Sequence, residues 1–301
     1  MAKKIKKGGS KKLSVKRQSF LTAFKVFEKW VKGHKPTCHV VLGSGFGSAL
    51  DSLCADGGRY QEKSRLSFTQ VPGLPGSTVV DHAGVFRLVK DRVNGKTYLF
   101  QQGRLHGYEG HLASVAVWPV MLGRAAGIEN FLLTNAAGGI NRQFAPGDAM
   151  LITDIVNLSG QNPLTGENPV APSGKPWGPR FPEMGSIFDQ NWTNSLVKDL
   201  EAEKVRVHRG VYLGIGGPSF ETPAEIRLFG DWKMDAVGMS TVWESIALKH
   251  SGARIAGLSL ISNMACGIIK GEKLEHESIV KTCRDSAEAI VRGILRWSAS
   301  L

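Results

Sequence analysis

With 301 residues, 42 % of them hydrophobic, the chain can bury a sizeable core as one domain, and no run approaches the roughly 18 consecutive apolar residues that a membrane span needs. The first twenty residues contain no apolar secretory core, so a cytoplasmic protein is expected. A net charge of +12 raises nucleic-acid binding as a possibility, but the charge is concentrated at one end: residues 1 to 17 carry Lys3, Lys4, Lys6, Lys7, Lys11, Lys12, Lys16 and Arg17 and no acidic side chain.

That lysine-rich stretch, interrupted by Gly8, Gly9 and Ser10, cannot bury enough apolar surface to fold alone. Residues 1–18 are therefore expected to form a disordered basic tail and 19–301 the folded domain. The tail is read as solubilising, because charge alone specifies no nucleic-acid sequence or shape. From Phe20 the pattern changes, and Phe20, Leu21, Phe24, Phe27, Trp30 and Val31 recur at helical spacing until Gly33. Short apolar runs follow at Cys38 to Leu42, Tyr98 to Gln101, Phe131 to Thr134, Ala149 to Thr153, Val211 to Ile215, Asp235 to Val237 and Ile255 to Ile261. With helical stretches between several of them, these runs predict an α/β fold around a largely buried sheet. The Pro- and Gly-rich segment from Gln161 to Phe188 has no periodicity and reads as a long ordered loop near a site or interface. Thr222-Pro223-Ala224-Glu225 and Thr241-Val242-Trp243-Glu244 both fit a capping box that starts a helix. A stripe from Ile279 through Cys283, Ala287, Ile290, Val291 and Ile294 to Leu295 predicts a terminal helix. Cys38, Cys54, Cys266 and Cys283 form no C-x-x-C pair, which suits reduced thiols and predicts no structural metal.

Chemistry concentrates where the apolar runs end. Gly43-Ser44-Gly45-Phe46-Gly47 follows the first run, and its glycines let backbone amides converge on an anion while the Ser44 hydroxyl donates another bond. Its spacing fits neither the dinucleotide fingerprint nor a Walker loop, so alone it better describes a plain strand-to-helix turn. In Gly103-Arg104-Leu105-His106-Gly107-Tyr108-Glu109-Gly110, an extended backbone would project Arg104, His106 and Tyr108 to one face, a guanidinium, an imidazole and a phenol suited to an oxyanion beside a sugar. His82 could add a lid donor. Thr134-Asn135-Ala136-Ala137-Gly138-Gly139, Gly216-Gly217-Pro218-Ser219-Phe220-Glu221-Thr222 and Asp235 to Thr241 each end a run in small, polar or aromatic residues, the composition of a ligand-facing sheet edge.

Taken in order, GSGFG, GRLHGYEG, TNAAGGIN, SGQNPL, GPSFET, DAVGMST and LISN resemble the trimeric, 6-oxopurine type of purine nucleoside phosphorylase, from about Val41 to His276. The resemblance implies a single α/β domain with a central mixed, partly barrel-like sheet flanked by helices, a homotrimer, no cofactor, and inorganic phosphate as co-substrate. It implies phosphate binding by Ser44, His82, Arg104, His106, Asn135, Ala136 and Ser240. The nucleoside would meet Tyr108, Phe220, Glu221, Met239, Asn263 and His276: Tyr108 and Met239 against the ribose, His276 at the 5′-hydroxyl, Phe220 on the base, the Glu221 carboxylate on N1–H, and the Asn263 amide on O6 and the N7 edge. Glu109 would position the site. The catalytic set would be Asn263, Glu221 and His106.

These roles are chemically coherent. Glycosidic cleavage passes through an oxocarbenium-like state, which a phosphate dianion below the sugar stabilises while donors at the purine receive the departing charge. A carboxylate facing N1 accepts from guanosine or inosine but meets a bare acceptor in adenosine. Methylthioadenosine phosphorylases resemble the same fold with different residues at positions 221 and 263, which makes that activity the second reading. A nucleic-acid-binding module on an inactive phosphorylase fold, motivated only by the tail, is the third. Three features depart from the family: a shorter loop at Asn157 to Gln161, where the family brings a phenylalanine into the neighbouring subunit's site; Trp243 in place of a usual proline; and the basic tail.

Overall fold

The computed structural model describes residues 15–55, 58–76, 83–271 and 276–299. In chain order its elements are helix α1 (Val15–Val31), strand β1 (His39–Leu42), α2 (Phe46–Leu53), β2 (Tyr60–Ser67), β3 (Val85–Asp91), β4 (Thr97–Gln102), α3 (Ala113–Ala116), α4 (Trp118–Ala125), β5 (Asn130–Gly139) and β6 (Ala149–Leu158). There follow α5 (Gln190–Ser195), α6 (Val197–Ala202), β7 (Val207–Ile215), α7 (Pro223–Asp231), β8 (Ala236–Gly238), α8 (Val242–His250), β9 (Arg254–Met264) and α9 (His276–Ser298).

The strands form one mixed sheet in the order β2-β3-β4-β1-β5-β8-β7-β6-β9, and β9 returns to pair with β5. That last pairing, parallel from Asn130↔Arg254 to Gly139↔Met264, closes β5, β8, β7, β6 and β9 into a five-stranded barrel. β1 lies parallel to both β4 and β5 and joins the barrel to an open extension. The expected α/β domain with a partly barrel-like mixed sheet is therefore present. Helices cover it because their apolar stripes have nowhere else to go. In α9, Ile279, Cys283, Ala287, Ile290, Val291, Ile294 and Leu295 are all buried, at the 3.6-residue spacing read from the sequence.

The sequence reading is corrected at three places in the scaffold. α1 begins at Val15, so the last residues assigned to a 1–18 tail are helical; residues 1–14 lie outside the described part. β2 and β3 were not expected. Both carry charged side chains that mask the strand pattern, and β3 is largely buried: its Arg87 is fully buried, with its guanidinium 2.8 Å from both Asp51 and Glu62. Third, of the two capping boxes expected at Thr222 and Thr241, only that at Thr222 forms, its hydroxyl accepting from the Glu225 N–H while Glu225 accepts from the Thr222 N–H. Thr241 makes no side-chain cap. Residues 159 to 189 contain no helix or strand beyond one isolated bridge, as expected of a long loop. None of the four cysteines forms a disulfide, and Cys38 and Cys283 are buried.

One buried group couples this core to pH. His39 of β1 is fully buried against Phe86 and Phe131, and burial lowers its pKa from 6.5 to about 3, against the raising effect of the Gln101 side chain. The unfolded chain takes up that proton below pH 6.5 while the folded one refuses it until about pH 3, so stability is full above 6.5 and falls as the pH drops. Between pH 7 and pH 5 the group costs about 2 kcal/mol. His39→Leu should lose that much less stability than wild type over the same interval in urea denaturation. Identical pH dependence in the two proteins would remove His39 from the acid limb.

Candidate active site

A cavity of about 360 Å³ lies above the ends of β1 and β4, along the last residues of β5 and β9, and under the segments that leave β7 and β8. It is lined by Ser44, Arg104, His106, Tyr108, Ala136, Phe220, Glu221, Met239, Ser240 and Asn263, ten of the residues singled out in the sequence, together with Pro218, Val237, Gly238 and Ile279. Its volume falls within the roughly 300–1,000 Å³ typical of small-molecule sites. Residues separated by more than 200 positions meet here because β1, β4, β5 and β9 run side by side in parallel.

Ser44 sits in the turn that starts α2, whose N-cap, Gly45, has a φ of 81°, a backbone state that suits glycine. The Gly43 N–H donates to Thr134 Oγ1, and that hydroxyl donates to the Val41 carbonyl, tying the turn to β5. Arg104 is 2 % exposed; its Nε donates to Glu244 Oε1 at 3.0 Å and Nη2 to the Thr134 carbonyl at 2.9 Å. The guanidinium is thus aimed by two partners before any anion arrives.

The Arg104–Tyr108 segment differs from the expected extended strand: Gly107–Glu109 is a 3₁₀ turn. Glu109 Oε1 accepts both the His106 backbone N–H (3.0 Å) and the ring Nδ1–H (2.8 Å), which leaves Nε2 as the other ring nitrogen of a fixed tautomer. Burial lowers the His106 pKa below its usual value, opposed by the Glu109 bond, so the ring is neutral at pH 7. Its plane stacks on Tyr108, centroids 4.6 Å apart. Burial pushes the Tyr108 phenol up to about 12.

Across the cavity, Glu221 is buried and its carboxyl is pushed up from the usual range, chiefly by burial. Phe220 beside it is exposed. Asn263 Oδ1 accepts from Ser262 Oγ at 2.8 Å, and one amide N–H donates to the Met264 carbonyl at 2.9 Å. The Ser240 N–H donates to Tyr212 Oη at 3.3 Å, and Tyr212 is fully buried.

Asn135 is buried and does not line the cavity; its amide donates to Thr241 Oγ1 at 2.9 Å, so of the Asn135-Ala136 pair only Ala136 reaches the space. That bond braces Thr241, a β-branched residue at φ 71° in a tight turn closed by Val242 N–H on the Ser240 carbonyl. A backbone of this kind costs about 1–3 kcal/mol and persists only where its surroundings enforce it. His82 lies outside the described residues, as does the side chain of His276, the first residue of α9. Sequence reasoning missed Glu244, Thr134, Tyr212 and Thr241. In sequence Glu244 and Thr241 look like the two halves of a capping box, and Thr134 and Tyr212 give no signal beyond membership of a strand or motif.

Among the described residues no cluster of three or more His, Cys, Asp or Glu side chains could hold a metal ion, and no helix is long and apolar enough to cross a membrane. A family model described as the phosphorylase superfamily matches residues 52–296. The chain is 38 % identical over 261 residues to purine nucleoside phosphorylase 1 of Bacillus subtilis, covering 87 % of this chain and 89 % of that one. It is 36 % identical over 281 residues to the purine nucleoside phosphorylase of Bos taurus, covering 91 % and 93 %. In structure it is similar to Schistosoma mansoni purine nucleoside phosphorylase in complex with adenosine, with a TM-score of 0.79, 26 % identity, and 95 % and 97 % coverage. A schistosoma purine nucleoside phosphorylase in complex with hypoxanthine gives a TM-score of 0.77 over 93 % of this chain and 96 % of the other, at 26 % identity.

Proposed function

The chain belongs to the purine nucleoside phosphorylases of the phosphorylase superfamily, and from that premise we propose that it takes 6-oxopurine nucleosides, guanosine, inosine and their deoxy forms, and releases the base and a pentose 1-phosphate at the cavity described above. The observation that carries this reading is that Arg104, pre-aimed by Glu244, and the Glu221 and Asn263 pair line one and the same cavity.

Phosphate sits against Ser44, Arg104, His106, the Ala136 backbone and Ser240, with His82 closing over it and Asn135 supporting through Thr241. The guanidinium supplies bidentate charge, and the neutral His106, its Nδ1–H committed to Glu109, offers Nε2 as an acceptor for a phosphate or sugar O–H. The ribose lies against Tyr108 and Met239 with His276 at the 5′-hydroxyl, and Phe220 stacks on the base. As the glycosidic bond lengthens, the dianion stabilises positive charge on the sugar while the Asn263 N–H not committed to Met264 meets the charge growing at the O6 and N7 edge. Phosphate itself is the nucleophile; its oxygen forms the bond to the anomeric carbon and the purine leaves with the electron pair, taking up a proton. The homotrimer, the absence of any cofactor and a cytoplasmic role in purine salvage belong to the same proposal.

Glu221 carries the substrate choice. Its buried carboxylate finds a donor in N1–H of guanosine or inosine and an acceptor in adenosine, a mismatch of the kind that rejects an analogue strongly. In buffer with phosphate the protein should consume guanosine and inosine and form pentose 1-phosphate; in phosphate-free buffer consumption should stop. Adenosine and methylthioadenosine belong in the same assay. Equal release of free ribose without phosphate would identify a hydrolase, and a preference for either adenine nucleoside would overturn the assignment of Glu221.

A further inference from the structure

Gly107 shows a different requirement from the turn glycines. Its φ is not in the left-handed region, so the backbone there would accept any residue, yet a Cβ added to it would lie 2.6 Å from Cη2 of Trp243 and 3.4 Å from Cζ2. The missing side chain is therefore space taken by the indole. Trp243, in the first turn of α8, is 9 % exposed, and its Nε1–H donates to Ser159 Oγ at 2.7 Å. Ser159 is itself fixed in the turn that leaves β6: its hydroxyl donates to Asn157 Oδ1 at 2.6 Å, and the Asn157 amide donates to the Gln161 carbonyl at 2.8 Å. Adjacent residues of α8 thus hold the same segment from two sides, Glu244 through Arg104 and Trp243 through Gly107. A void of only about 10 Å³ is bordered by the indole of Trp243 together with His106, Gly107, Ser159, Met239 and Ser240.

We propose that Trp243, tethered by Ser159 and seated against Gly107, is a positioning residue that sets the depth of the His106–Tyr108 turn and thereby the fit of phosphate and ribose; this rests on the phosphorylase reading of the cavity. Trp243 touches neither substrate. It acts by excluding other positions of the two side chains that flank Gly107.

The test is a double-mutant cycle in the full-length enzyme, with KM for phosphate and for inosine measured separately from kcat. Gly107→Ala, which drives a methyl into the indole, should raise KM for phosphate by about tenfold or more. Trp243→Phe lacks Cη2 and the N–H, so it should raise the same KM by less, and the combined variant should regain about fivefold relative to Gly107→Ala alone because the methyl now has room. A merely structural tryptophan would lower the active fraction, and so kcat, with both KM values unchanged. Additive losses in the combined variant, or KM values that never move, would overturn the proposal. Should a core variant fail to fold, Ser159→Ala removes the tether together with the hydroxyl's bond to Asn157 at a half-buried turn and should raise KM for phosphate about twofold; no change there would also count against the proposal. Wild-type enzyme with no phosphate-dependent cleavage would instead sink the functional reading itself.

Discussion

Asn263→Ala lowers turnover of inosine by about 10²–10³-fold, with little change in thermal stability. The expectation follows from what an amide does at a leaving group. Its remaining N–H is worth little to a neutral purine in the ground state and much to the electron-rich one that departs, and a single donor of that kind contributes about 3–4 kcal/mol in the transition state. The side chain is already held by Ser262 and the Met264 carbonyl, so no reorganisation is required as charge develops. Its own loss leaves no buried charge, which is why stability should survive. The decisive measurement is the ratio of kcat in variant and wild type at saturating phosphate, together with a melting curve. An unchanged kcat would remove Asn263 from the chemistry, and an unfolded variant would show that its bonds to Ser262 and Met264 are structural.

Glu244→Ala is expected to have the largest effect on stability, about 3–5 kcal/mol, because it strands the buried Arg104 charge without its carboxylate. Two readouts separate this from an ordinary core defect. Phosphate should raise the melting temperature of Glu244→Ala by more than it raises that of wild type, since the dianion then supplies a negative charge in place of the lost carboxylate. Glu244→Gln, which keeps an acceptor but no charge, should fall between the two. If the alanine variant melts like wild type, the ion pair does not hold Arg104 in solution.

Much of the site could be read from the order of its motifs. Buried apolar runs end in small and polar residues at Ser44, Ala136, Met239 and Asn263, and the parallel register of β1, β4, β5 and β9 brings those ends together. What escaped the sequence were the partners across long separations. The pattern Thr241-x-x-Glu244 is indistinguishable from the true capping box at Thr222, yet Glu244 turns to a guanidinium 140 residues away in sequence, and Thr241 adopts a positive φ instead of a cap. β3 was hidden for a similar reason: Arg87 reads as a surface residue until Asp51 and Glu62 are placed around it. The turn at Gly107–Glu109 was read as extended because a period of two and a tight turn put His106 and Tyr108 on the same side by different routes. Local pattern reports what a residue could do, and the fold decides which partner it meets.

The closure of β5 against β9 has a bearing on how activity arises during synthesis. These two staves come from opposite halves of the chain, and joining them carries the entropic cost of a very long loop, which favours late assembly. A nascent polypeptide that has not yet produced Met264 has no wall on which an amide could greet the departing purine. The capacity to cleave a nucleoside should therefore arise in a single step, with no feeble precursor left to squander phosphate or base.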